Sequence, residues 1–328
     1  MSQHQITLIL APLQGFTDLP FRTVFFRHFK GIDEAMAPFI STMGHQRFKL
    51  SGLRDVAPDR NPDHPPLVPQ IMGNVADDFI YLADRLFDLG YLQVNWNLGC
   101  PHSKVAKKQR GSGLLLYPEK IDAILARVVP GMSCRLSVKI RLGRRNKDEI
   151  KDILDVLDRH DLDEIILHPR TGEQMYTGRC DLDAFEAAQK HSPHSFVYNG
   201  DITDTASFSR IRDRFPHIRR IMIGRGMLSN PFLAEAIKGM PVQDEKIRLE
   251  RLRAFHDDLV AQYAKTLSGP GHLTGRMKGI WNYLGPGFDG HKNPLKKILK
   301  ATTLPAYNER AKAFFDLELP FRPGRKNP

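Results

Sequence analysis

The segment from Asn95 to Gly113, NWNLGCPHSKVAKKQRGSG, sets a lone cysteine, Cys100, between an apolar run and four cations, Lys104, Lys107, Lys108 and Arg110. A thiol in that position is either a small buried residue closing a strand, the usual fate of a free cysteine, or a reactive group. Neighbouring Lys and Arg lower a thiol's pKa, so these four cations are expected to act on Cys100. Three more polar residues interrupt otherwise apolar runs: Gln70 in VPQIMG, Lys139 in SVKIRLG and His168 in ILHPRT. A buried amide, ammonium or imidazole needs a partner. Singly, each suits a structural hydrogen bond; three converging groups suit a planar, hydrogen-bonding cofactor. Two glycine turns add an anion site. In YNGDI (Asn199, Gly200, Asp201) and GRGML (Gly224, Arg225, Gly226), small residues let backbone N–H groups approach a phosphate that Arg225 can clamp.

These groups must be positioned by eight short apolar runs: ITLILAP, EAMAPF, PLVPQIMG, LQVNWNLG, RLSVKIRLG, EIILHPRT, SFVYNGD and RRIMIGRG. Between most of them lie amphipathic stretches such as DDFIYLADRLFDLG, YPEKIDAILARVV and DTASFSRIRDRF, with apolar residues every three or four positions. Such alternation specifies parallel βα units, and eight of them in the first 240 residues predict a (β/α)8 TIM barrel. Chemistry in that fold gathers at the C-terminal ends of the strands, with a phosphate site often formed after strands seven and eight, where NGDI and GRGM fall. The run RDVAPDRNPDHPP reads as a Pro/Asp loop rather than a regular helix. After Met240 the pattern becomes helical only, with Gly/Pro punctuation at SGPGH and GPGFDGHKNP. The expected division is therefore a barrel over 1–240 and a small all-α domain over 241–328.

The 328 residues suffice for such a barrel and its appendage, and no apolar stretch approaches a membrane span. The start MSQHQITLILAPLQG lacks a secretory pattern, and three scattered cysteines suit a reducing compartment, so a cytoplasmic protein is expected. The formal net charge is +11. Residues 241–328 hold 16 Lys and Arg against 9 Asp and Glu, a net of +7, so the tail carries most of an excess that suits a polyanionic partner. GPGFDG, Gly285–Gly290, matches a dinucleotide fingerprint formally, but follows a helical pattern rather than a strand. With no Rossmann unit, P-loop or zinc spacing in the sequence, neither a dedicated dinucleotide fold nor a metal site is expected.

LAPLQGFTD, QIMG, NWNLGCP, VKIRLG, HPRTG, NGDI and IGRG, in this order across the barrel, resemble the bacterial tRNA-dihydrouridine synthases. The basic helical tail resembles that family's RNA-binding domain. The resemblance implies FMN across the barrel mouth, held by Ala11, Pro12, Leu13, Gln70, Lys139 and His168, with its phosphate at Asn199, Gly200, Asp201, Gly224 and Arg225. It implies Cys100 as general acid, with Asn97, Arg141 and Lys104 on the substrate side. Leu13 stands where methionine is common, Asn95 and Trp96 replace an acidic-aliphatic pair, and HPRTG varies from H-A-R-T-R. These departures leave the subfamily and the target uridine open.

The implied reaction reduces a uridine in tRNA to 5,6-dihydrouridine: hydride from reduced FMN to carbon 6, proton from Cys100 to carbon 5. NADPH is the expected electron donor, docking transiently in the space the uridine later takes. A monomer with no membrane association is expected. Two rival readings remain: an FMN barrel acting on a small pyrimidine, as with dihydroorotate, and a flavin-free RNA-binding protein.

Overall fold

The computed structural model describes residues 6–62 and 64–324. Ten parallel strands form one sheet: β1 (Thr7–Leu10), β2 (Glu34–Met36), β3 (Ile40–Ser41), β4 (Leu67–Val68), β5 (Gln70–Met72), β6 (Gln93–Leu98), β7 (Arg135–Gly143), β8 (Ile165–Thr171), β9 (Phe196–Asn199) and β10 (Arg220–Ile223). They make eight staves, because β2 and β3 are two pieces of one stave around Pro38, and β4 and β5 two pieces of another around Pro69. Proline has no N–H to give the ladder, so the strand breaks there. The ring nevertheless closes: β4 pairs with β2 and β5 with β6, while the Pro69 carbonyl still accepts the Asn95 N–H at 2.9 Å. β10 pairs with β1 on the other side. All eight sequence runs are thus staves of a (β/α)8 barrel.

Strand periodicity of two decides which residues face inward. Ile9, Met36, Val68, Ile166, Val197 and Met222 form one buried apolar cluster, separate from the larger core between strands and helices. On the same parity, β6 and β7 carry Asn95, Asn97, Ser137 and Lys139, with Val94, Trp96, Val138 and Ile140 alternating into the outer core. The polar interruptions read from the sequence are therefore inward-facing positions of strands whose other face is apolar.

Ten helices connect or follow the strands: α1 (Leu19–His28), α2 (Leu50–Val56), α3 (Ala76–Asp88), α4 (Ser103–Ala106), α5 (Pro118–Gly131), α6 (Ile150–Leu157), α7 (Leu182–His191), α8 (Thr205–Arg214), α9 (Arg225–Ser229) and α10 (Leu233–Ile237). The expected Pro/Asp loop is partly helical: α2 runs through Arg54, Asp55 and Val56, and a single 3-10 turn covers Pro58–Arg60. Its order comes from Arg22, fully buried, which donates to Asp55 Oδ2 (3.0 Å) and Asn61 Oδ1 (3.2 Å) and thereby ties the segment to α1.

Four further helices follow among the described residues: α11 (Glu245–Thr266), α12 (Pro270–Leu284), α13 (Lys292–Leu299) and α14 (Leu304–Phe315). GPGFDG begins with a 3-10 turn directly after α12, so no strand precedes it. Trp281, Phe288, Phe314 and Phe315 make an aromatic core for this group, with His256 and Trp281 both bonded to the Tyr307 hydroxyl. α11 lies on α1, where Phe255 packs edge-on against Phe21, Phe25 and Phe29. No helix among the described residues is long and apolar enough to cross a membrane.

Candidate active site

The C-terminal strand ends open on a cavity of about 940 Å3, counted with the open solvent at its mouth. Thirteen of the fifteen residues that the resemblance assigned to the site line it: Ala11, Pro12, Leu13, Asn97, Cys100, Lys139, Arg141, His168, Asn199, Gly200, Asp201, Gly224 and Arg225. Two others do not. Lys104 is exposed on α4, outside the cavity lining. Gln70 is fully buried one layer below, where its Oε1 accepts from Asn97 Nδ2 at 2.7 Å and its Nε2 donates to Asn95 Oδ1 at 2.8 Å.

That lower layer is a relay which aims the Cys100 loop. Asn95 Nδ2 donates to Ser137 Oγ, Gln70 bridges Asn95 and Asn97, and Asn97 Oδ1 accepts the N–H groups of Gly99 (3.1 Å) and Cys100 (2.9 Å). Each amide is fixed by the next, so the loop inherits the rigidity of the barrel interior. From the other side, Ser112 holds the Cys100 carbonyl through its N–H and its hydroxyl. Gly111, at φ 55°, is required by this approach, since a Cβ there would lie 2.9 Å from Cys100 Cβ. Asn95 and Ser137 were legible as polar residues at inward parity, but their neighbours had to be known before the relay could be seen.

Burial dominates the Cys100 thiol and raises its pKa above the ordinary 9.0, against the pull of the His102 N–H, Arg141, Lys139 and Arg144. A protonated thiol is what the expected general acid requires. The cations acting on it come from β7 and the turn after it, which corrects the expectation that Lys104 to Arg110 would do so. Lys104, Lys107 and Lys108 point to solvent, and Arg110 is engaged by Asn74 Oδ1 and the Thr42 carbonyl.

Across the cavity, Lys139 Nζ donates to Asn199 Oδ1 at 2.7 Å, and Asn199 Nδ2 donates to the Met222 carbonyl. Burial and the nearby Arg141 bring the Lys139 ammonium down to about 7. His168 Nε2 lies 3.1 Å from Arg170 Nη1, and because arginine can only donate, that nitrogen accepts and the ring proton sits on Nδ1. Burial, then the charges of Arg141, Lys139, Arg170 and Arg225, hold His168 well below its ordinary pKa, so it is neutral. Arg141 donates to the carbonyls of Gly99, Thr171 and Met175, which leaves both Nη2 hydrogens.

The glycines after β9 and β10 have a reason besides anion approach. A Cβ on Gly200 would lie 2.4 Å from Cys180 Sγ, and one on Gly226 would lie 2.0 Å from the Ile202 carbonyl oxygen. Asp201 is held below the usual carboxylate range: burial opposes ionisation, but Arg170 (2.6 Å) and the Cys180 N–H outweigh it. Its other oxygen lies 3.6 Å from Arg225. Sequence reasoning missed Tyr176, which lines the cavity with Arg225 4.4 Å and Arg141 5.4 Å from its ring centre. A lone tyrosine in the loop after β8 carries no pattern that would single it out.

Fold and cavity together define the class, a (β/α)8-barrel enzyme with its chemistry at the strand C-termini. Solved structures agree on the fold: a histamine dehydrogenase from Rhizobium sp. 4-9 superposes with a TM-score of 0.56 at 10% identity, covering 95% of this chain and 62% of its own. An old yellow enzyme homologue from Zymomonas mobilis gives 0.53 at 11% identity, covering 74% and 91%. The dihydrouridine synthase (Dus) family matches residues 9–273. The chain belongs to the dihydrouridine synthase family and is an oxidoreductase. It is 30% identical over 273 residues to a probable tRNA-dihydrouridine synthase of Staphylococcus epidermidis, covering 78% of each chain. It is 28% identical over 246 residues to tRNA-dihydrouridine synthase B of Pasteurella multocida, covering 74% of this chain and 72% of that one.

Proposed function

We propose that the protein reduces specific uridines of tRNA to 5,6-dihydrouridine, with FMN as bound cofactor and NADPH as reductant. The observation that carries this reading is a thiol kept protonated by burial on the wall of a cavity that also holds Lys139 and a neutral His168. The donor set fits FMN. Among the described residues Lys139 has no carboxylate partner, so an electron-rich ring edge completes its coordination, and the His168 Nδ1–H supplies a second donor. Ala11, Pro12 and Leu13 offer backbone to the same ring, and Gly224, Arg225 and the turn Asn199–Asp201 suit its phosphate. Gln70 acts from below, by fixing Asn97. Bound and reduced, FMN supplies the hydride that carbon 6 of the uracil receives.

The chain's own residues do the rest. Cys100 delivers a proton to carbon 5. Asn97 keeps one Nδ2 hydrogen free of the relay and Arg141 keeps its Nη2 pair, enough to hold a uracil carbonyl. The base reaches the cavity only by extrusion from the folded RNA, at ~a few kcal/mol. Lys104, Lys107, Lys108 and the basic helices after residue 240 grip phosphates, so residues 241–328 act as the RNA-binding part and 1–240 as the catalytic one. The proposal takes the protein to act as a monomer on cytoplasmic tRNA. The test is an absorbance scan of purified protein followed by mapping of dihydrouridine in a tRNA incubated with it and NADPH. A flavin spectrum and a new dihydrouridine support the reading; colourless protein that takes up no added FMN refutes it.

A further inference from the structure

The loop leaving β1 serves two places at once. Its first half, Ala11 to Gln14, lines the cavity. The Thr17 hydroxyl closes that half by donating to the Ala11 carbonyl (3.1 Å) and accepting the Leu13 N–H (2.8 Å). Its second half meets the C-terminal helices. The Phe16 ring stands edge-on to Tyr283 at 5.2 Å, and Gly279 makes room for it, since a Cβ there would lie 3.3 Å from Phe16 Cε1.

Asp18 joins the two halves. It is the N-cap of α1, where its Oδ1 accepts the Phe21 N–H at 3.4 Å. Shorter bonds leave the helix altogether: Tyr263 on α11 donates its hydroxyl at 2.7 Å, and Arg276 on α12 donates Nη1 at 2.6 Å. One carboxylate thus ties two tail helices to the residue after Thr17. Other polar ties join α1 to α11: Arg27 and His28 to Asp258, a carboxylate more exposed than Asp18, and Arg251 Nε to the His28 carbonyl. α12, which carries Arg276, also packs against α9, whose Arg225 and Gly226 line the cavity.

We infer that Asp18 is a positioning residue for RNA: it sets α12 over the cavity mouth, so that RNA gripped by the tail presents its extruded base in register with Cys100. This inference rests on the proposed function. The grip itself involves other residues, so loosening Asp18 changes where the base arrives more than how tightly RNA binds. A displacement of about 1 Å costs on the order of 100-fold in rate.

The experiment compares wild-type holoenzyme with Asp18→Asn and the milder Tyr263→Phe. Expected for Asp18→Asn are unchanged flavin content and unchanged flavin reduction by NADPH, RNA affinity within about threefold, and a fall of roughly 10- to 100-fold in kcat for dihydrouridine formation. Tyr263→Phe shows the same split, smaller in size. Hydrogen–deuterium exchange of the same proteins should rise together in residues 11–18 and 270–284 of Asp18→Asn and stay unchanged in α14. Equal loss of flavin and RNA turnover, a change carried by RNA affinity alone, unchanged kcat, or exchange rising on one side only would overturn the inference. Wild-type protein that makes no dihydrouridine refutes the proposed function instead, and the exchange result still decides whether Asp18 couples the two segments.

Discussion

Replacing Cys100 by alanine removes one sulfur and leaves its loop in place. The supports of that loop are backbone groups: Asn97 Oδ1 holds the Gly99 and Cys100 N–H groups, and Ser112 holds the Cys100 carbonyl. Folding and flavin retention should therefore be those of the wild type. Loss of a positioned general acid costs ~100- to 10,000-fold, which is about 3–5.5 kcal/mol of barrier. The assay is single turnover: enzyme reduced beforehand, mixed with RNA in the absence of NADPH, with flavin reoxidation and dihydrouridine followed together. Because burial lifts the thiol above 9.0, the wild-type rate should be level through neutral pH and fall only as pH rises past that value, when the acid form is lost. Alanine should abolish that alkaline limb. A Cys100→Ala enzyme that forms dihydrouridine at the wild-type rate would remove the thiol from the reaction.

Lys139→Met should weaken FMN at least about tenfold, through loss of a charge-assisted hydrogen bond; flavin titration by fluorescence checks it. In the flavin-free protein Lys139 titrates near 7, far below a free lysine, so the unfolded chain binds the extra proton and stability should climb as pH rises from about 7 towards 10.5. The methionine variant should lose that slope in a melting series, and FMN binding to wild type near pH 8 should take up a proton, visible as a buffer-dependent enthalpy. Lys292, Lys296, Lys297 and Lys300 are exposed on or beside α13, and changing all four to glutamine should weaken RNA while sparing flavin. Each phosphate contact removed should flatten the slope of log affinity against log salt by ~0.7–0.9. Gly226→Ala puts a Cβ 2.0 Å from a backbone oxygen that cannot turn aside, and should cost at least about 2 kcal/mol in a denaturant titration.

The chain order of apolar runs determined the barrel, because parallel strands buried on both faces leave continuous hydrophobic signatures and their connecting helices leave a 3.6-residue period. The same logic located most of the cavity: Cys100, Asn199 and Arg225 lie at strand ends, where the fold gathers chemistry, and Lys139 and His168 at inward-facing positions of β7 and β8. What the sequence could not decide is which charges meet. Lys104, Lys107 and Lys108 are neighbours of Cys100 along the chain yet turn to solvent, while Lys139, Arg141 and Arg144, some forty residues on, set its electrostatics. Hydrogen-bond capacity is likewise a property of the assembled molecule: Gln70 supports Asn97 instead of facing the cavity, and Asp18, besides capping α1, reaches α11 and α12. Periodicity is local and survives in one dimension; the sign of a pKa shift and the partner of a buried polar atom depend on distances between residues that only the closed barrel brings together.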